Sequence, residues 1–230
     1  MKEIRILHIL PKMLSLYGEY GNVAILNHVL TENGHRVSID HWDNGCLNLE
    51  PYDFIYLGSG TEDNLQEALR RLEPHKEAIL ASIDSGKLWL ATGNAMSLFG
   101  KSGLEILPFN TVTDATSRFM GDVLTDNHNG NPLVGYINTS CRYENITHPL
   151  FQLHFGSHLG NDKGNSCGEG ILSNNFYGTQ LIGPVLVKNP HFLMELASKI
   201  TDTDINIDAD SYLMKAYAVT LQELQKRAKN

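Results

Sequence analysis

Cysteine is scarce in this sequence of 230 residues, which contains only Cys46, Cys141 and Cys167. No two of them form a CxxC pair, so the spacing gives no sign of a disulfide framework. The first residues lead directly into an apolar segment and carry no signal-peptide pattern. We therefore expect reduced thiols in a cytoplasmic protein that needs no cofactor and binds no metal.

Long apolar runs and an excess of positive charge are also missing. No apolar stretch approaches the roughly 20 residues that span a bilayer, so we expect no membrane insertion. The 18 Lys and Arg residues are outnumbered by 26 Asp and Glu, which gives a formal net charge of −8. A nucleic-acid surface requires clustered positive charge, and the composition argues against one.

What the sequence does contain is an alternation of apolar runs with amphipathic stretches. Continuous apolar segments are typical of strands buried in a parallel sheet, and the helical spacing between them predicts right-handed crossovers. The pattern predicts an α/β fold, with a central mostly parallel sheet flanked by helices. The predicted strands of the first half are Ile4–Leu10, Arg36–His41, Phe54–Leu57 and Leu88–Ala91, with helices from Gly21 and over Thr61–Ser85, the latter broken near Pro74.

The second half is richer in Gly, Asn and short strands, and we interpret it as a continuation of the same fold. The predicted strands there are Arg118–Leu124, Leu133–Asn138, Ile171–Ser173 and Tyr177–Leu181, followed by helices Asn189–Ile200 and Tyr212–Lys229. We assign residues 1–200 to one domain. Residues 201–230, an acidic loop and a helix, are expected to pack on it.

Ligand sites in parallel sheets lie at the carboxyl ends of the strands, which here points to Gly58–Gly60 and Thr92–Ala95. The segment from Leu88 to Gly100 has the strand–turn–helix pattern of a nucleophile elbow, with Gly93 at the tip. An ordinary βα turn explains the same residues equally well. A phosphate-binding loop ending at Gly100-Lys101-Ser102 is disfavoured for two reasons. Its first glycine is missing, and bulky side chains stand where backbone amides would have to surround a phosphate.

Several short motifs occur in order along residues 3 to 200. They are Leu16–Asn22, Leu57–Gly60, Gly121–Val123, Val134–Asn138, Gly160–Asp162, Gly168–Gly170 and Tyr177–Leu186. In this order the chain resembles class I glutamine amidotransferases, in particular the glutaminase subunit of lipid II isoglutaminyl synthase and, more distantly, the amidotransferase domain of cobyric acid synthase. The resemblance implies a flavodoxin-like three-layer fold.

The resemblance also implies which positions carried chemistry in the family. The turn Gly58, Ser59, Gly60 matches the family's oxyanion turn, Gly93 stands at the position of the catalytic cysteine, and Ile182 stands at that of the general-base histidine. Neither substituted residue can form a thioester or move a proton. We therefore expect ordinary glutaminase activity to be absent.

The resemblance places a former substrate pocket at Asn94, Asn138, Cys141 and Arg142. In the family this subunit passes ammonia to a Mur-ligase-like partner that binds ATP, so a silent version would act as a scaffold or regulator of such a partner. Two alternatives remain open: an enzyme whose nucleophile is Cys141, and a protein that binds glutamine or another small amide or amino acid. His148, His154 and His158 lie near Cys141 in sequence, but nothing else supports a metal site.

Overall fold

The computed structural model describes residues 1–113, 116, 118–156 and 168–229. Twelve strands fall within those ranges. They are β1 Glu3–Ile9, β2 Arg36–Trp42, β3 Phe54–Leu57, β4 Leu88–Thr92, β5 Asn110–Thr113, β6 Phe119–Asp126, β7 Pro132–Thr139, β8 Cys141–Glu144, β9 Phe151–Phe155, β10 Gly168–Glu169, β11 Ile171–Ser173 and β12 Phe176–Thr179. The predicted Gly160–Asp162 motif, His158 and Cys167 lie outside the described residues.

The main sheet has six strands in the order β11-β12-β4-β3-β1-β2. All neighbouring pairs are parallel except β11 with β12. Both central strands, β3 and β4, are buried along their whole length, which is why they are continuous apolar runs. The prediction of a mostly parallel α/β sheet is confirmed, and its core order 2-1-3-4-12 is that of a flavodoxin-like sheet.

Six α-helices accompany these strands within the described ranges. They are α1 Tyr20–Glu32, α2 Glu62–Leu72, α3 Lys76–Asp84, α4 Val185–Lys188, α5 Pro190–Thr201 and α6 Tyr212–Arg227. The predicted break near Pro74 is a short 3₁₀ turn, Glu73–His75, between α2 and α3. No helix among the described residues is long and apolar enough to cross a membrane.

The second half differs from a simple continuation of the main sheet. Strands β6, β7, β9 and β10 form a separate antiparallel sheet in the order β10-β9-β6-β7. The connection between β6 and β7 is too short for a parallel crossover, so it closes an antiparallel hairpin, with Gly130 at φ +74°. Strands β5 and β8 make a further antiparallel pair.

Two contacts fix this second sheet against the main one close to the carboxyl ends of the parallel strands. The Ile182 N–H donates a hydrogen bond to the Tyr136 carbonyl oxygen at 2.9 Å, in an isolated antiparallel bridge. The buried Asn189 side chain accepts from the Val134 N–H at 2.8 Å and donates to the Val134 carbonyl at 2.9 Å. Helix α6 packs over β6 and β7 through Tyr217 and Leu224.

Candidate functional site

The segments that follow β3 and β4 meet at the carboxyl edge of the main sheet, as expected for parallel strands. After β4 the chain enters a 3₁₀ helix, Gly93–Phe99, where the sequence pattern predicted a turn followed by a helix. Gly93, the first residue of that 3₁₀ helix, has φ +60°, a conformation that glycine adopts without strain. The tight geometry of an elbow is therefore present around a residue with no side chain.

The space around Gly93 is filled by two neighbouring side chains. A Cβ atom built on Gly93 would lie 2.6 Å from the Ser59 Cβ and 2.7 Å from the Ile182 Cγ2. Both distances are well inside van der Waals contact, so any other residue at this position would force its surroundings to move. The structure thus brings together Gly93, Ser59 and Ile182, all three named from the sequence.

Asn94 joins the elbow to the glycine-rich turn. Its Oδ1 accepts a hydrogen bond from the Gly60 N–H at 3.1 Å, and its Nδ2 donates to the Gly60 carbonyl at 2.7 Å. The side-chain amide therefore satisfies both backbone groups of Gly60. A backbone N–H at this kind of turn is the group that can stabilise a developing oxyanion, and here it already has an acceptor.

Beneath the elbow lies Glu19, a carboxylate that is 0% exposed. It accepts hydrogen bonds from the hydroxyl groups of Thr92 and Tyr56 and from the N–H of Gly183. Burial raises the pKa of Glu19, and these three donors partly offset that effect. The carboxylate fixes the ends of β3 and β4 and the turn after Ile182 relative to one another.

A cavity of about 550 Å³ opens beside the elbow and is lined there by Ser59, Asn94 and Ile182. Part of the lining is apolar, formed by leucines of the first loop, of α2 and of the 3₁₀ helix. Another part is polar and consists of threonine, asparagine and cysteine side chains of β5, β7 and β8. The residues that line it include Ser59, Gly60, Asn94, Ile182, Leu65, Leu69, Leu98, Thr111, Thr113, Asn138, Thr139 and Cys141. Among the described residues that line it there is no histidine or lysine.

A chain of polar contacts runs along one side of the cavity. The Arg118 Nε donates to the Asn138 Oδ1 at 2.6 Å, and the Asn138 Nδ2 donates to the Tyr17 hydroxyl at 2.9 Å. Arg118 also lies 3.9 Å from Glu62. Arg118 is the one guanidinium in the lining that the structure describes, so it is the group available to an anionic ligand.

Two of the predicted pocket residues, Cys141 and Arg142, point to opposite sides of β8. Cys141 lines the cavity, and its Sγ lies 3.4 Å from the Thr113 Oγ1. Arg142 is not among the described lining residues, and its Nε donates to Glu144 at 3.3 Å. The alternation of side chains along a strand explains why adjacent residues cannot both face the cavity.

The geometry of the described residues supports neither a metal site nor a phosphate-binding loop. Among the described residues no group of three His, Cys, Asp or Glu side chains is arranged to hold a metal ion. His154 lies on strand β9 and contacts Asp126 at 2.8 Å. No helix follows Gly100, which a phosphate-binding loop requires, because the chain folds back so that the Lys101 N–H bonds the Phe109 carbonyl.

Sequence reasoning identified the turn and the elbow but not the residues that hold them. In the sequence Glu19 is one residue of the Leu16–Asn22 motif, although an acidic residue between Gly18 and Gly21 beside a buried helix face is a usable signal. The pairing of Asn94 with Gly60 depends on a distance across 34 residues of sequence, which no local pattern encodes.

Comparison with known sequences gives two relatives that span most of the chain, while no protein-family profile matches it. Both are named as subunit GatD of lipid II isoglutaminyl synthase (glutamine-hydrolyzing). The protein from Staphylococcus aureus strain N315 is 26% identical over 200 residues, covering 82% of this chain and 81% of the relative. The protein from Streptococcus pneumoniae strain R6 is 25% identical over 213 residues, covering 85% and 80%.

Solved structures share the fold at lower identity. A glutamine amidotransferase from Thermotoga maritima superposes with a TM-score of 0.56 at 13% identity, covering 98% of this chain and 97% of its own. A chain of the PurLQS structure from the same organism also gives a TM-score of 0.56, at 14% identity, covering 95% of this chain and 99% of its own. These likenesses show a common fold over 95% or more of this chain.

Proposed function

Since the chain belongs to the class I glutamine amidotransferase-like family, we propose that it is a subunit of that type without glutaminase activity. It acts as a scaffold or regulator of a synthetase. On this proposal Gly93 occupies the nucleophile position, Ile182 the general-base position, and Gly58–Gly60 the oxyanion turn. We also propose a cytoplasmic location, because the two described cysteines, Cys46 and Cys141, are free thiols.

The observation that carries this proposal is the packing of Gly93 against Ser59 and Ile182. Hydrolysis of an amide by the family's route needs a thiolate to attack the carbonyl carbon and an imidazole to move the proton. Glycine and isoleucine supply neither group. Loss of either member of such a pair typically lowers the rate by orders of magnitude, and here both are replaced.

Exposed apolar side chains beside the cavity support a role in an assembly. Tyr17 is 42% exposed and Met120 is 60% exposed. Met120 is the cross-strand partner of Asn138, whose side chain bonds the Tyr17 hydroxyl, so the two apolar groups lie near each other. Large contiguous apolar patches are typical of interaction surfaces, and we propose that these two side chains belong to one. We propose a Mur-ligase-like ATP-binding subunit as the partner, because both relatives are named as subunits of a synthase.

The test measures ammonia released from glutamine by the purified chain, alone and co-expressed with a Mur-ligase-like protein from the same genome. We expect release at the background rate in both cases and a stable complex on size-exclusion chromatography. One of the GatD relatives, assayed in parallel, provides the active control. Release at the control's rate would overturn the silent assignment, and failure to form a complex would overturn the partner assignment.

A second candidate function is binding of an amino acid or another small polar molecule without turnover. Two hydroxyl groups that line the cavity, Ser59 Oγ and Thr111 Oγ1, are buried and have no hydrogen-bond partner in the described structure. Buried polar groups are normally satisfied, so these two favour a polar occupant. A thermal-shift screen of amino acids tests this function, since a ligand that binds only the folded state raises the Tm, and raises it further as its concentration exceeds the Kd.

A further inference from the structure

The two hydrogen bonds between Asn94 and Gly60 change what the cavity can bind at this turn. A ligand carbonyl that approached the Gly60 N–H would have to displace the Asn94 Oδ1, which bonds it at 3.1 Å. It would also have to break the second bond, from the Asn94 Nδ2 to the Gly60 carbonyl at 2.7 Å. Because a ligand would first have to displace the Asn94 amide, the Gly60 N–H is not a preorganised donor for that ligand.

Ser59 restricts the space beside position 93. Its Cβ lies 2.6 Å and its Oγ 3.1 Å from the position that a Cβ of residue 93 would take. Ser59 is 2% exposed, so its side chain occupies buried space next to position 93. A glycine at position 59 would leave that space open.

We infer that Asn94 and Ser59, which together we call the plug, determine the specificity of this site. They exclude an amide carbonyl from the Gly60 N–H and a side chain from position 93. The inference rests on the proposed function, because it takes Gly93 and Gly60 as the former nucleophile and oxyanion positions. We therefore expect that a thiol and an imidazole, introduced without other changes, do not restore reaction with an amide while the plug is present.

The steric part is tested by a double-mutant cycle on thermal stability. Gly93→Ala should lower the Tm by roughly 5 to 10 °C, because the new methyl group overlaps Ser59 and Ile182. Gly34→Ala is the matched control, because Gly34 has φ +84° but open space around it, and it should lose only roughly 2 to 4 °C. In the Ser59→Gly background the loss from Gly93→Ala should shrink by the part that is due to Ser59, while the overlap with Ile182 remains.

An unchanged loss in the Ser59→Gly background would overturn the steric part. The cycle uses variants that contain no reactive group, so its outcome is independent of whether the wild-type chain releases ammonia. The steric inference and the proposed function can therefore fail separately.

The chemical part is tested by introducing a thiol. Gly93→Cys/Ile182→His is compared with a variant that also carries Ser59→Gly and Asn94→Gly, using a diazoketone analogue of glutamine. The introduced sulfur bonds to the diazo carbon, which takes the thiol proton and loses N₂, and intact-mass spectrometry counts the adduct. We expect labelling at least about 10-fold faster in the four-change variant.

Equal labelling of the two folded variants would overturn the inference. Near-ultraviolet circular dichroism checks that each variant is folded, and iodoacetamide labelling reports general access to the thiol. If the four-change variant does not fold, the single change Asn94→Gly is titrated with glutamine. A rise in Tm that the wild type lacks supports the plug, and no rise in either overturns it.

Discussion

The carboxylate of Glu19 accepts a hydrogen bond from the backbone N–H of Gly183 at 2.8 Å, across 164 residues of sequence. The same carboxylate is bonded by the hydroxyl groups of Tyr56 and Thr92. One acidic side chain in the first loop therefore positions the ends of two central strands and the turn after Ile182. The geometry of the candidate site depends on this residue although it does not line the cavity.

Glu19→Ala should lower the free energy of unfolding by about 3 kcal/mol, because three buried donors would lose their acceptor. Glu223→Ala, on the exposed face of α6, is the control, and we expect a change within about 0.5 kcal/mol. Urea unfolding followed by tryptophan fluorescence measures both. Equal effects of the two changes would contradict the role given to Glu19.

Glu169 should give the protein a pH-dependent stability. Burial raises the pKa of Glu169 from 4.5 to about 7, so the folded state retains a proton that the unfolded state releases between those values. The free energy of unfolding should then decrease as the pH rises from about 4.5 to 7, by about 3 kcal/mol from this group.

Glu169→Gln is a close mimic of the protonated carboxyl, since its amide can accept from the Gln180 N–H and donate to the Thr179 hydroxyl. Relative to this variant, the wild type should lose stability between pH 5 and pH 7. Urea titrations at several pH values provide the measurement. Parallel pH profiles for the two proteins would show that Glu169 is ionised throughout the range in the folded state.

His8 should give the stability a pH dependence of the opposite sign. Burial lowers the pKa of His8 from 6.5 to about 4, with the neighbouring His41 adding to the effect. Between these values the unfolded state binds the proton, so the free energy of unfolding should fall as the pH drops from about 6.5 to 4. His8→Phe keeps the ring against Tyr56 and should remove about 3 kcal/mol of this acid sensitivity. An unchanged acid transition in the variant would refute the assignment.

Asn189 should be needed for docking of the second sheet. Its side chain is 1% exposed and bonds both backbone groups of Val134 and the carbonyl of Val185. Asn189→Ala should cost about 3 kcal/mol of stability and speed hydrogen exchange at the Val134 amide. Asn44→Ala, at an exposed turn, is the control. Unchanged exchange at Val134 would contradict this role.

The main sheet was predictable because its strands are buried on both faces. Phe54–Leu57 and Leu88–Ala91 are uninterrupted apolar runs with helical segments between them, which is the pattern of a parallel α/β sheet. The second sheet was not separated from it, because its strands are half-buried and their sequences do not specify which partner they pair with. The Asn-Gly pair at Asn129–Gly130 was the one local sign of a hairpin.

The site was predictable only in outline. The positions of Gly93 and Ile182 followed from aligned motifs, and the structure places the two residues in contact. The effect of Ser59 and Asn94 did not follow, because it depends on interatomic distances between separate loops. Nothing in the sequence of the glycine-rich turn indicates that the Cβ of its serine packs against Gly93.

The pairing of β12 with β4 has a consequence for synthesis on the ribosome. Phe176 pairs with Trp89, so a nascent chain must extend beyond residue 176 before that edge of the parallel sheet is covered. Until then β4, buried along its whole length in the finished protein, presents unpaired backbone groups and apolar side chains to the surroundings. While the residues between β4 and β12 are being translated, this edge of the nascent sheet is therefore open to pairing with another chain.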